Sequence, residues 1–193
     1  MAYVDKRDHY RIEDDIQVGW KVVHAGEVDA GRPIEHFETS PLFPLLTELY
    51  QLNLEAEDIL REVTAQNRQL GGFLHNLDRR VALLARAIVT SEAGTSSLAS
   101  PARISEGGIS FITGQLLPTG THLAMKLMFS SRLLGIACFG EVRHSRLVES
   151  RDDYLVGARF VNLDDATRTL IQRHVLHRQA EERRARLRQD AGI

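Results

Sequence analysis

The spacing of apolar residues changes period twice along the chain. In "DIQVGWKVVH", residues 15–24, Ile16, Val18, Trp20 and Val22 recur at every second position, which places them on one face of a half-buried β-strand. The next stretch, "AGEVDAGRPIEHFETSP", is rich in glycine, proline and charge and predicts a linker over 26–40. Over 41–91 the apolar period becomes helical, and "EAGTSSLASP" then marks a second linker. Strand texture returns in "ARIS" and "GISFIT" around "EGG", followed by "THLAMKLMFSS", "LLGIACFGEVRHS" and "DYLVGARFVN". Several short strands between regular turn signals predict a small antiparallel barrel or sandwich. Residues 164–189 are helical, opening on Asp164 and Asp165, which suit a cap and a first turn. The first strand has no sheet on its own side of the helical segment, and an isolated strand cannot satisfy its backbone groups. The pattern therefore predicts one α+β domain: its first part is 1–25, a helical insertion occupies 41–91, the remaining strands fill 99–163, and a C-terminal helix closes it over 164–193.

The insertion carries heptads. With Leu49, Ala56, Val63, Leu70, Leu77 and Leu84 at position a, position d holds Leu45, Leu52, Ile59, Phe73 and Ala87, broken by Gln66 and Arg80. Position e adds Leu46, Leu60, Leu74, Val81 and Ile88. A two-stranded coiled coil needs only the a/d seam, so this wider stripe fits a helix with neighbours on two sides, as in a four-helix assembly. Some 50 helical residues span about 75 Å, whereas a barrel of this size offers a face about 25 Å across. Most of the stripe would lie in water, so self-association is predicted, with a tetramer favoured. Gly71-Gly72 weakens the helix by about 1 kcal/mol per glycine relative to alanine. Because the heptad phase runs through the pair unshifted, the expectation is one kinked helix rather than a hairpin. Gln66 and Arg80 are the candidates for setting register.

Composition narrows the chemistry. The 193 residues carry a formal charge of -2, which predicts no general attraction to nucleic acid or to acidic membranes. Cys138 is the only cysteine, so an internal disulfide and a Cys-rich zinc site are excluded; in its apolar strand it reads as a small buried hydrophobe. The N-terminus has no apolar signal core, and the most apolar region, 116–139, is interrupted by Lys126 and Arg132. A cytoplasmic protein without a membrane partner is expected. His174 and His177 lie three apart on the last helix but have no evident third ligand, so neither metal nor cofactor is expected. Ser105 lacks a GxSxG context, and Gly107-Gly108 lacks the pattern of a phosphate-cleaving loop. No catalytic set emerges, and the reading is not an enzyme. The last helix has seven arginines between 168 and 188; without interleaved aromatics it reads as a solvated extension rather than a nucleic-acid arm.

One motif remains. "KRDHYRI" places Arg7 and Arg11 four apart beside Lys6, either a solvated tail or an anion clamp. With the insertion removed, this segment and "DIQVGWKVV" run into "ARISEGGISFITGQLLPTGTHLAMKLMF". Joined so, the chain resembles a PilZ domain, the bacterial cyclic-di-GMP receptor module, with its RxxxR motif before the first strand and [D/N]xSxxG between two strands. "GEVRHS" and "YLVGARFVNLDDATRTLIQRHV" look like that family's last strands and closing helix. The resemblance covers about 5–25 and 99–178 and leaves the insertion outside. It implies a six-stranded antiparallel β-barrel in which Arg7 and Arg11 hold the ligand's phosphates and guanine faces, with Ser105 and Gly108 in the second motif. Arg103 departs from it, standing where Asp or Asn is expected. Arginine has no acceptor for a guanine edge, and a lost charge-assisted bond forfeits about 1.5–3 kcal/mol. A third arginine beside Arg7 and Arg11 is also expected to repel them. The resemblance thus implies a non-enzymatic regulator in cyclic-di-GMP signalling that binds the dinucleotide weakly or not at all, or a ligand-independent adaptor for an unknown downstream protein.

Overall fold

The computed structural model describes residues 11–38, 42–92, 100–129, 132–148 and 152–190. Six strands, β1 (Ile12–Val23), β2 (Ser100–Ser105), β3 (Gly108–Thr113), β4 (His122–Phe129), β5 (Leu134–Val148) and β6 (Asp153–Val161), pair antiparallel throughout. They close into a barrel in the order β1-β2-β3-β6-β5-β4. β1 makes the closure: Ile12 lies opposite Ile104 on β2, and from Ile16 opposite Phe129 onward the strand runs along β4. The strand that precedes the insertion in sequence is thus flanked by strands that follow it, and closure leaves no unpaired edge. Ile12, Ile16, Ile104, Phe111, Leu127 and Phe129 are among the residues that fill the interior.

Burial alternates strictly in β1 only from Ile12 to Ile16; Val18 and Trp20 are partly buried against the core, and Val22 does not follow them. Val22 is 60% exposed, while Val23 is buried with Val28, Ala124 and Phe139. The cover comes from the segment expected to be a linker, which instead contains helix α1 (Ala25–Ala30) and a 3-10 turn at Pro33–His36. The Glu27 carboxylate accepts the His24 backbone N–H at 2.6 Å, and Phe37 packs on the same cluster. Gly and Pro content hid this helix, because its order comes from what it covers rather than from local propensity.

The expectation of one continuous helix is overturned. The insertion is two antiparallel helices, α2 (Leu42–Gln66) and α3 (Arg68–Glu92), and the break falls at Asn67, not at the glycines. Asn67 Oδ1 accepts the N–H groups of Gln69 (3.1 Å) and Leu70 (3.0 Å), which starts a new helix by capping. The fold-back is recorded at both ends. Leu46 and Ala85 meet around Leu133, and a Cβ on Gly71 would fall 2.6 Å from Thr64 Cα. Gly71 therefore serves close helix contact. An unbroken heptad phase says which residues share a face; it does not say that the axis continues.

α2 docks on the barrel through Phe43, Leu46 and Tyr50, all buried, and Thr47 Oγ1 donates to the Gly135 carbonyl at 2.7 Å. The stripe divides accordingly. Leu49, Leu60 and Val63 are half-buried. Leu45, Leu52 and Ile59 on α2, and Leu70, Phe73, Leu77, Val81 and Leu84 on α3, are left exposed. Helix α4 (Asp165–Asp190) begins at Asp164, whose carboxylate accepts the Thr167 N–H at 2.7 Å and lies below the usual acid range because of that bond. Leu170, Ile171 and Val175 pack it on the core. Among the described residues no helix is long and apolar enough to cross a membrane.

Candidate functional site

A cleft of about 440 Å³ opens where Arg11, the β2–β3 turn, β5, β6 and the start of α4 converge. Ser105 and Gly108 form its floor beside the two-residue turn at Glu106-Gly107, with Ser105 Oγ 3.3 Å from the Gly108 carbonyl. Gly108 lies opposite Arg159 in the β3–β6 ladder, and any Cβ there would collide with the Ala158 carbonyl. Glycine is thus required by strand contact, and the absent side chain also keeps the cleft open. Arg7 and Lys6 lie outside the described residues; Arg11 lines the cleft.

Three further cations line it that the sequence reading did not single out: Arg143, Arg159 and Arg168. Arg143 sits in a bulge, where the β5–β6 register shifts between Val142 and His144. A bulge re-aims side chains and leaves no mark in an alternation pattern. Glu141 accepts from Arg143 at 3.0 Å and from Arg159 at 2.9 Å, and its hydrogen bond from Arg159 holds the carboxyl below the usual range. The arginines of both pairs are more than half exposed, so the pairs add little stability; their effect is to hold two guanidinium forks beside the cleft. Four arginines stand against Glu106 in the lining, with Glu141 engaging two of them, and guanidinium forks of this kind suit an anion.

Arg103 is not where it was expected. It does not line the cleft; it faces solvent and pairs across the β1–β2 ladder with Glu13 at 3.5 Å. Its partner is thus Glu13 on the neighbouring strand, an exposed ion pair, and Arg7 lies outside the described residues.

His144 lies over Gly157, where a Cβ would strike the imidazole. Burial, then Arg146 and Arg11, lowers its pKa. The unfolded chain therefore takes up this proton more readily than the native protein. Stability from neutral His144 is complete above the unfolded value and is lost as pH falls from there through the lower native value. Thermal midpoints measured at about pH 7.5 and about pH 5.5 should fall further for the native chain than for His144→Gln; equal falls would refute the assignment. An anion beside Arg11 offsets part of the repulsion, so anion affinity should rise on acidification.

His174 and His177 prove to be structural. His174 is fully buried, with Nε2 2.8 Å from Asp14 Oδ2, and ties α4 to β1. At His177, Nδ1 lies 2.9 Å from Arg132 Nη2 and Nε2 lies 3.0 Å from Glu57 Oε2. A guanidinium only donates, so Nδ1 accepts and Nε2–H donates to Glu57. Arg132 also reaches Glu57 (3.3 Å) and Glu181 (2.6 Å). Burial raises the Glu181 pKa, but Arg132 and Arg178 more than offset it. This joint fastens α2, the β4–β5 turn and α4 together. Cys138 is buried, which pushes its thiol pKa up and leaves it a hydrophobic filler.

The described residues thus form a six-stranded antiparallel barrel with an arginine-lined cleft. A sequence profile of the PilZ domain matches residues 77–177, over half of the chain, and the chain belongs to the PilZ domain family. The match begins inside α3 and does not reach Arg11 or α2. No curated protein matches the chain. Among solved structures, a pathogenic protein from Xanthomonas campestris, described as a new tetrameric PilZ domain self-assembled via an unusual helical bundle, is similar over 91% of this chain and 89% of that one, at 17% identity and a TM-score of 0.52. At that identity the likeness is one of fold. The Bacillus subtilis inhibitor of motility, MotI/DgrA, aligns with 45% of this chain and 44% of its own, at 14% identity and a TM-score of 0.38.

Proposed function

We propose that this chain is a non-enzymatic PilZ regulator of bacterial cyclic-di-GMP signalling that holds the dinucleotide weakly and self-assembles through the α2–α3 hairpin. The cleft carries the reading. Arg11, Arg143, Arg159 and Arg168 offer forks for phosphates beside Ser105 and Gly108, while the position expected to supply a guanine-edge acceptor is Arg103, turned to Glu13. The site can thus attract the phosphates without fully reading the bases. Self-assembly is supported by the exposed apolar rows of α2 and α3, and the X. campestris protein assembles as a tetramer through a helical bundle; a tetramer is the state we favour here. The place of action is the cytoplasm, whose reducing conditions suit a chain with one buried thiol. A ligand-independent adaptor is the second reading, favoured by Glu141 already engaging two of the four arginines. Calorimetric titration with cyclic-di-GMP separates the two. Saturable heat that disappears in Arg11→Ala supports the receptor, and a flat trace for the native chain selects the adaptor.

A further inference from the structure

The face of α2 turned from the barrel is one row of alternating apolar and acidic residues: Leu45, Glu48, Leu52, Glu55, Ile59 and Glu62, all exposed. Steps of three and four keep such residues on one side of a helix. The exposed row of α3 is apolar except for Arg80, which lies between Leu77 and Leu84. Overall, α2 carries five acids against one arginine, and α3 four arginines against two acids. Among the described residues Glu48, Glu55 and Arg80 make no ion pair within the protomer, although Arg80 stands in the middle of an apolar surface.

From this we infer that two copies meet with α2 of each lying on α3 of the other, and that Arg80 sets the register by pairing with Glu55 of the partner subunit. The inference rests on the self-association proposed above and adds its arrangement. Packing α2 on α2 would bring two acidic rows together, and packing α3 on α3 in parallel would bury Arg80 against its own copy. Like charges in a helical seam are destabilising. Crossed packing sets leucine rows on leucine rows and glutamates on the arginine. The level follows from the hairpin. Contacts at Leu46–Ala85 and Thr64–Gly71 bracket it, so Arg80 stands nearly level with Leu52, and Glu55 is the nearest acid of the row. A two-fold axis along the helices preserves that level between copies.

Charge exchange tests the pairing. Glu55→Arg and Arg80→Glu should each raise the dissociation constant measured by light scattering on dilution, by about tenfold or more, and the double exchange should restore most of the native value. Both positions are exposed in the protomer, and circular dichroism should show each variant folded. If the double exchange is weaker than either single one, the crossed pairing is wrong while self-association stands. A monomeric native chain overturns both. Cysteine cross-linking gives an independent readout, since Cys138 is buried. Mixing chains bearing Glu55→Cys with chains bearing Arg80→Cys should yield the mixed dimer, and self-linked Arg80→Cys dimers as the main product would overturn the arrangement.

Discussion

Replacing Leu77 by aspartate should split the assembly into folded protomers. Leu77 is 46% exposed in the protomer, so a carboxylate there remains hydrated and the hairpin keeps its contacts with the barrel. In the proposed assembly the same position would lie inside the apolar seam. Removing an unpaired carboxylate from water costs several kcal/mol even after relaxation, which raises the dissociation constant by about a hundredfold or more. Light scattering at micromolar concentration should give several times the 21.7 kDa chain mass for the native protein and close to 21.7 kDa for the variant, with an unchanged circular dichroism spectrum. Leu46→Asp is the contrast. Leu46 is 1% exposed and holds the hairpin base against Ala85 and Leu133, so that change should unfold the hairpin rather than merely separate subunits. A Leu77→Asp protein that keeps the native mass would remove the exposed α3 row from the interface.

Position 103 lies outside the cleft lining but two residues before Ser105 on β2, on the same side of the strand. An acceptor placed there should reach a dinucleotide held in the cleft and strengthen its binding. Glu13 stands directly opposite Arg103 in the β1–β2 ladder. Arg103→Asp alone would set two carboxylates face to face, which destabilises a strand pair. In a Glu13→Gln background that repulsion is absent. The acceptor should then raise cyclic-di-GMP affinity by about tenfold or more, equivalent to one charge-assisted hydrogen bond. The Arg103–Glu13 pair is more than 60% exposed on both sides, so its loss costs little stability and the variants should fold. Adding Arg11→Ala should cancel the gain, because the phosphates lose a fork. If the Glu13→Gln, Arg103→Asp protein titrates without heat, an acceptor at 103 is not what the cleft lacks, and the adaptor reading is favoured.

Features with local causes were legible in the sequence alone. One alternating run and five short strand-like runs between turn signals marked all six strands to within a few residues, the Glu106-Gly107 turn fixed the β2–β3 hairpin, and Asp164 announced the start of α4. The need to satisfy the backbone of β1 was enough to join it to strands almost eighty residues further on. Arg11, Ser105 and Gly108 could be named as cleft residues because a motif fixes their spacing. The tertiary structure decided what depends on contacts between distant segments. The reversal at Asn67 turned one expected helix into a hairpin, since the heptad phase is the same on either side and only the meeting of Leu46 with Ala85 shows the direction. α1 is ordered because it covers Val23 and Phe139, a gain that no local window contains. Arg143, Arg159 and Arg168 join Arg11 through a bulge, a ladder and a helix start, three separate segments converging on one cleft, while Arg103 lies outside its lining and pairs with Glu13 across the strands. Periodicity reports which side of an element faces inward; which elements face one another is set by the closed barrel and the packing around it.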